Sequence, residues 1–337
     1  MNLLRKILIP FSLLYGGIAA LRNYFYDQGW FKSKSYNKPV ICVGNLSVGG
    51  TGKSPMIEYL LEYLVKDYRV AVLSRGYKRR TKGFREVQVG STSQEVGDEP
   101  LQFKQNFPKV TIAVCANRQE GIEKLQDKAD VILLDDAFQH RKVRASTNIL
   151  LTPFNDLYIH DLVVPAGNLR EFRVGAKRAD IIVVTKCPEK VPYATLQKIQ
   201  LKIKLGDHQK IYFSKIGYEE TIHGPTEKLP LKYLRDKKFT LVTGIARPKP
   251  LVDFLERKQF TFNHKKYPDH HDFSATEVAK LGKNEIILTT EKDYMRLQPK
   301  LGKFAIYYLP IKTIILREQG SFFRKTILDS IDKKRFS

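Results

Sequence analysis

The chain has 337 residues, 42% of them hydrophobic, with 58 Lys and Arg against 35 Asp and Glu, a formal charge of +23. That length and apolar content, without repeats or low-complexity tracts, exclude a disordered or fibrous chain and leave room for two domains. The charge excludes a surface indifferent to anions and points to nucleic acid, anionic lipid or a phosphorylated substrate, without choosing among them.

The first element is apolar. Arg5 and Lys6 precede a hydrophobic stretch at residues 7–21, interrupted by Pro10 and Gly16-Gly17 and closed by Arg22. As a helix it would run about 22 Å, short of the roughly 30 Å hydrocarbon core of a bilayer. A basic start and an apolar centre also fit a signal peptide, but no cleavage site precedes Arg22. A buried core helix is the plain alternative. The favoured expectation is a segment lying in the membrane interface. Tyr15, Tyr24, Phe25, Tyr26, Trp30 and Phe31 would be its aromatic anchors, and each flanking Lys or Arg would add about 1 kcal/mol near an anionic leaflet.

The next element is the run Val40-Ile41-Cys42-Val43. Ser47-Val48-Gly49-Gly50-Thr51-Gly52-Lys53-Ser54 follow, then a helix-like segment at 56–66. Strand, glycine-rich loop and helix form the setting of a phosphate-binding loop. The glycines let backbone N–H groups turn toward phosphate oxygens, and the positive end of the helix adds to the attraction. Residues 47–52 would cradle a nucleotide, Lys53 would reach its β- and γ-phosphates, and Ser54 would hold Mg²⁺. Ser47 stands where the general pattern begins with glycine.

Short β-branched apolar runs then alternate with helix-like stretches, at residues 70–73, 110–114, 131–134, 149–151 and 181–184. They are almost continuously apolar, as strands buried on both faces should be. The alternation predicts an α/β fold, a P-loop NTPase-like doubly wound parallel sheet that binds ligands at the carboxyl ends of its strands.

Chemistry-bearing residues follow those ends. Asp135 and Asp136 close the 131–134 run, where an Asp beside a phosphate loop holds Mg²⁺ directly or through water. Gln139, His140 and Arg141 come next and could reach the same place, although His140 reads equally as a structural residue. In Gly97-Asp98-Glu99-Pro100, the proline predicts an extended Glu99. Both acids then sit on a loop or at a helix start, and Asp98 reads either as a cap or as a base accepting a hydroxyl proton. Arg118, and Arg170 with Glu171 in Gly167-Asn168-Leu169-Arg170-Glu171, could stabilise charge on a transferred phosphoryl group, or lie on the surface. The run Lys78-Arg79-Arg80-Thr81-Lys82 reads as a surface for phosphates or acidic lipid, or as a solvated loop. In Tyr267-Pro268-Asp269-His270-His271-Asp272-Phe273, adjacent histidines on an extended chain point apart. A His–carboxylate interaction is therefore favoured over a zinc site, with a polar turn as the alternative.

Prolines 188, 192, 225 and 230 fall in a Lys-rich stretch that marks a change of composition. The expected organisation is an apolar helix and connector at 1–36, a phosphate-loop kinase domain at 37–210 and a smaller α/β domain at 211–337. The last helix, at 320–331, is free to return to the first domain, and residues 333–335 read as solvated tail. Runs at 239–243, 260–263, 286–289 and 305–309 would supply the second sheet. Cys42, Cys115 and Cys187 each sit in or beside an apolar run. They read as buried thiols, with no disulfide framework or zinc site.

Taken in order, these segments resemble the tetraacyldisaccharide 4′-kinase family. The carrying residues are 43–55, Ser74-Arg75-Gly76-Tyr77, 96–100, Leu134-Asp135-Asp136-Ala137-Phe138-Gln139-His140, 167–171 and Asp269-His270-His271-Asp272-Phe273. Position 47 is Ser or Thr in that family. The resemblance implies transfer of the ATP γ-phosphate to the 4′-hydroxyl of tetraacyldisaccharide 1-phosphate, giving the 1,4′-bisphosphate of lipid A biosynthesis. It also implies a peripheral enzyme on the cytoplasmic face of the bacterial inner membrane, with the active site between two α/β domains. It makes Asp98 the base with His270 its partner and Lys53 a catalytic cation. Ser54, Asp135, Asp136 and Gln139 become the Mg²⁺ site, and Glu99, Arg118, Arg170 and Glu171 contacts to substrate or phosphate. The expected partners are the lipid substrate and an anionic membrane surface, with no nucleic acid and no obligate protein. The competing reading is a P-loop GTPase or ATPase switch or chaperone. Thr185-Lys186-Cys187-Pro188 begins like a guanine-reading motif but has Pro188 where an Asp is needed.

Overall fold

The computed structural model describes residues 5, 7–269, 271–283, 286–302 and 304–335. It opens with helix α1 (Ile9–Asp27). Pro10 starts the helix rather than breaking it, since a first-turn proline lacks only an N–H that has no helical partner there.

Eight strands follow: β1 (Val40–Asn45), β2 (Val70–Ser74), β3 (Arg85–Glu86), β4 (Thr111–Val114), β5 (Val131–Asp135), β6 (Thr147–Pro153), β7 (Ile181–Thr185) and β8 (Lys210–Tyr218). A second group runs β9 (Thr221–His223), β10 (Lys228–Pro230), β11 (Phe239–Thr243), β12 (Phe262–Lys266), β13 (Ile287–Thr289) and β14 (Ile306–Tyr308), before β15 (Ile311–Ile315). The large sheet has the order β15-β8-β7-β6-β1-β5-β2-β4-β3 and the small one β10-β9-β14-β13-β11-β12. In the large sheet β1, β2 and β4–β8 run parallel, and only the edge strands β3 and β15 are antiparallel. The expected doubly wound sheet is present. Strand β1 is central, with β5 on one side and β6 on the other, so the order reverses where the phosphate loop leaves it.

Both faces of the large sheet are covered. Helix α2 (Lys53–Leu64) lies on one of them, with Met56, Ile57, Leu60, Leu61 and Leu64 fully buried. Helix α3 (Asp98–Asn106) precedes β4, and helix α4 (Glu291–Leu301) belongs to the second group. The last helix, α5 (Gly320–Arg335), puts Phe323, Ile327 and Ile331 into the same core as α2. It continues through residues 333–335, which are helical rather than tail.

The division between the sheets differs from the expected one at 210. Strand β8 extends the large sheet beyond that point because Ile211, Tyr212 and Phe213 pair with β7. Strand β15 then pairs with β8 from Ile311↔Tyr218 to Ile315↔Ser214. The small sheet is built from residues between those two strands. All three cysteines are buried free thiols.

No described helix is long and apolar enough to cross a membrane. Helix α1 docks through its small and polar side. Ser12 Oγ accepts from the Ala166 N–H at 2.8 Å, and a Cβ on Gly16 would come within 2.5 Å of the Phe172 ring. The opposite side is apolar and open, with Phe11, Leu14 and Ile18 each more than 60% exposed.

Candidate functional site

The loop after β1 needs glycine for its shape, since Gly49 and Gly52 have φ of +101° and +96°. Gly52 is the N-cap of α2 and supplies no side-chain cap, so the first N–H groups of the helix have no capping side chain. The loop is braced from outside. Asn45 Nδ2 donates to Ser47 O at 2.7 Å and Thr51 Oγ1 at 2.9 Å. Val48 N–H donates to Asn168 O at 2.7 Å, Thr185 Oγ1 to Thr51 O at 2.6 Å, and Lys186 Nζ to Gly50 O at 2.6 Å.

Beside it stand the acids that end β5. Lys53 Nζ lies 3.6 Å from Asp136 Oδ1. Arg170 grips both Asp136 oxygens, at 2.9 and 3.2 Å. Asp136 has φ of +48°, a left-handed conformation unusual outside glycine, which turns the chain sharply at the strand end. Asp135 is buried and takes the Ser74 hydroxyl at 2.9 Å. Burial, with Glu99 nearby, pushes its carboxyl up to about 7. Its Oδ1 is buried without a hydrogen-bond partner, and a cation would satisfy such an atom.

The second acidic pair arrives from α3. Asp98 is the first helical residue and Gly97, at φ +94°, is the N-cap. Asp98 therefore does not cap the helix, and Glu99 is helical rather than extended. Pro100 is accommodated because it lies in the first turn. Glu99 Oε1 accepts from Ser54 Oγ at 3.0 Å and from Lys292 Nζ at 3.0 Å. Burial pushes the Glu99 carboxyl up, but Lys292 and Lys53 outweigh it and hold it down at about 2. Asp98 Oδ2 accepts from Arg296 Nε at 3.2 Å and Nη2 at 2.5 Å.

The remaining expected residues divide. Gln139 Nε2 donates to Asn45 O at 2.9 Å and to Glu171 at 3.1 Å, and its Oε1 accepts from Arg170 at 3.4 Å. It belongs with the loop and Asp136. Glu171 is buried among donors from three segments, Asn23 at 2.6 Å, Gln139, and Arg178 at 2.8 Å, and so ties α1 to the site. Arg118 is buried rather than on the surface, donating to Cys115 O at 2.6 Å and Ala116 O at 3.3 Å. His140 is pushed down to about 4 by burial and then by Arg118, which keeps it neutral. His270 lies outside the described residues. His271, next to it, pairs with Glu277 at 3.0 Å.

A family model described as tetraacyldisaccharide-1-P 4′-kinase matches residues 4–331. The chain belongs to the tetraacyldisaccharide 4′-kinase family. It is similar to the tetraacyldisaccharide 4′-kinase of Flavobacterium johnsoniae, with 48% identity over 96% of each chain. The Bacteroides thetaiotaomicron protein of the same name is 41% identical over 96% of this chain and 93% of its own. Among solved structures, the family member LpxK of Aquifex aeolicus, crystallised with ATP, superimposes with a TM-score of 0.80 at 32% identity, covering 98% of this chain and all of that one.

A Mg²⁺ ion fits the residues present. No group of three or more His, Cys, Asp or Glu arranged for a metal occurs among the described residues. Mg²⁺ bound with a nucleotide commonly takes one or two carboxylates plus phosphate and water, and Ser54, Asp135 and Asp136 offer that set.

Sequence reasoning missed Lys292, Arg296 and Glu291 of α4. Only the four-residue spacing of Lys292 and Arg296 on one helix face could have drawn attention to that pair, and nothing local marks Glu291. Glu291 meets Glu58 of α2 in a buried seam. Gln102 Nε2 reaches Glu58 at 3.0 Å and Glu291 at 2.9 Å, and Asn106 Nδ2 reaches them at 2.9 and 2.6 Å. Burial pushes both carboxyls up, Glu291 to about 7 from an ordinary 4.5, and Glu219 raises Glu291 further against the pull of Lys292. A carboxyl raised by folding contributes stability that is complete below its ordinary value and lost as pH rises through the folded one. Thermal unfolding should therefore show Glu291→Gln losing less stability than the unsubstituted protein between about pH 5 and pH 8. Equal losses would remove this pair from the account.

Proposed function

We propose that this protein transfers the γ-phosphate of ATP to the 4′-hydroxyl of tetraacyldisaccharide 1-phosphate. One observation carries the mechanism. The acid pair at the start of α3 meets the end of the phosphate loop, through Ser54 and Glu99 at 3.0 Å, while Lys53 and Asp136 face each other at 3.6 Å. In this reading phosphate grip, metal-binding carboxylates and a candidate base come from the ends of β1 and β5 and the start of α3.

Residues 47–54 hold the ATP phosphates, with Lys53 drawn to the β- and γ-oxygens. Mg²⁺, held by Ser54, Asp135 and Asp136 with Gln139 close by, would offset charge on the phosphates. Asp98 accepts the proton of the 4′-hydroxyl as its oxygen bonds to the γ-phosphorus and ADP leaves. Arg170 lies one hydrogen bond from Asp136 and, with Arg118, offers positive charge to phosphate. Glu99 and Glu171 keep these groups in register, and His270 is the proposed partner of Asp98. The relatives' shared name and near-full coverage favour this reading over a switch or chaperone.

Incubation with labelled ATP and the disaccharide 1-phosphate should yield a bisphosphorylated lipid, dependent on Mg²⁺. Equal turnover of GTP and ATP without lipid phosphorylation would overturn it.

We also propose that the protein binds the cytoplasmic surface of the inner membrane through α1. The support is its inverted placement, with small and polar residues docked inward and apolar ones outward. Deleting the helix would also remove Asn23 from Glu171, so surface substitutions test the idea better. Phe11→Ser, Leu14→Ser and Ile18→Ser together should weaken binding to anionic vesicles about tenfold or more, since each side chain buries up to roughly 1.5–3 kcal/mol of apolar surface. ATP affinity should not change. Undiminished co-sedimentation with vesicles would sink the anchor.

A further inference from the structure

Two cations on α4 meet the two adjacent acids that open α3. Lys292 and Arg296 are four residues apart, so they project from one face of the helix. Asp98 and Glu99 occupy the first two positions of α3, where negative charge suits the helix dipole. Arg296 brings Nε and Nη2 to one oxygen of Asp98 at 3.2 and 2.5 Å. Lys292 Nζ lies 3.0 Å from Glu99 Oε1, the same oxygen that takes the Ser54 hydroxyl. A continuous chain of polar contacts therefore runs from the phosphate loop through α3 to a helix of the other sheet.

The partner helix is itself fixed. Asp293 is fully buried, accepts the Gly244 N–H at 2.8 Å and the Thr290 hydroxyl at 2.7 Å, and lies 3.6 Å from Arg296 Nη1. Arg296 is thus held between two carboxylates, Asp293 from its own helix and Asp98 from the opposite one. Glu58, Gln102, Asn106 and Glu291 extend the contact with further polar groups. Apolar side chains would join two elements at less desolvation cost. A seam of charges and amides specifies one relative placement through hydrogen-bond direction, and that placement includes the Asp98 and Glu99 carboxylates.

We propose that Lys292 and Arg296 are positioning residues: they fix the Asp98–Glu99 pair over the phosphate loop and make phosphoryl transfer depend on docking of the second sheet. This rests on the kinase reading above. Neither residue touches the reacting atoms in this scheme. Arg296 acts through Asp98, and Lys292 acts through Glu99 and Ser54.

The test uses the full-length protein with ATP and tetraacyldisaccharide 1-phosphate. Arg296→Ala should lower kcat about a hundredfold, the loss typical of a misplaced reacting group, with KM for ATP nearly unchanged. Millimolar guanidinium should restore part of that kcat, a response that a merely structural residue would not give. Arg296→Lys should fall between, because an ammonium keeps the charge but not the two-nitrogen grip. Lys292→Met should also lower kcat. Melting temperatures are measured on every variant. Unchanged kcat in Arg296→Ala overturns the inference. So does a loss that tracks melting temperature and shows no rescue by guanidinium, with Arg296→Lys falling equally. An unsubstituted protein that leaves the lipid unphosphorylated overturns the kinase reading and this inference together.

Discussion

Asp98→Asn is expected to reduce lipid phosphorylation by about 10³-fold, within the range general-base catalysis contributes, while the protein stays folded. Asparagine keeps the shape of the side chain and an oxygen that can still accept from Arg296, whose two contacts to Asp98 are 3.2 and 2.5 Å. The carboxylate's ability to take a proton is what disappears. The loss should fall on kcat, because the phosphate loop and the Glu99–Ser54 contact are untouched. Steady-state kinetics beside a melting curve decide the matter. Near-normal turnover by a folded Asp98→Asn variant would remove Asp98 from the role of base.

Lys53→Ala should be nearly as severe, about 10²–10³-fold, the range for deleting one donor to developing charge. The lysine is largely buried and lies 3.6 Å from Asp136. Its removal leaves Asp136 paired with Arg170 at 2.9 and 3.2 Å and Glu99 with Lys292 at 3.0 Å, so neither loses its last cation and the fold should survive. ATP binding and turnover should both suffer, because the lysine is proposed to hold the phosphates before and during transfer. A variant that hydrolyses or transfers at the normal rate would contradict the reading of residues 47–54 as a phosphate loop.

The central sheet was legible in the sequence because its strands are buried on both faces. Nearly unbroken runs such as Val131-Ile132-Leu133-Leu134 carry that signal without any pattern of neighbours. The phosphate loop was legible because glycine at 49 and 52 answers a backbone requirement, not a packing preference. Edge and boundary features were less visible. Strand β8 runs into half-exposed residues toward Tyr218, and its pairing with β15 joins segments about 95 residues apart, which no local pattern reveals. Pro100 misleads because its effect on the preceding residue yields in the first turn of a helix. Lys292 and Arg296 carry no signal of their own, since Lys and Arg at helical spacing usually lie on a solvated face. Their partners, Asp98 and Glu99, sit nearly 200 residues away. Glu58 and Glu291 escape notice for the same reason, since a buried acid becomes visible only with the amides that satisfy it.

The pairing of β8 with β15 makes the small sheet, topologically, an insertion. Its entry at Tyr218 and its exit at Ile311 are directly opposed across the two strands, and Glu219 N–H donates to Pro310 O at 3.1 Å just beyond them. A short turn could therefore join the two strands with the whole intervening segment excised, and the nine-stranded sheet would keep its order. The same topology sets a sequence of events during synthesis. The inserted segment leaves the ribosome before β15 and α5, so the α2 face that receives Phe323, Ile327 and Ile331 stays uncovered until the small sheet has been made. The helix that follows the glycine-rich loop, made early, is thus among the last parts to be sealed, and over that interval one identifiable apolar surface is open to aggregation.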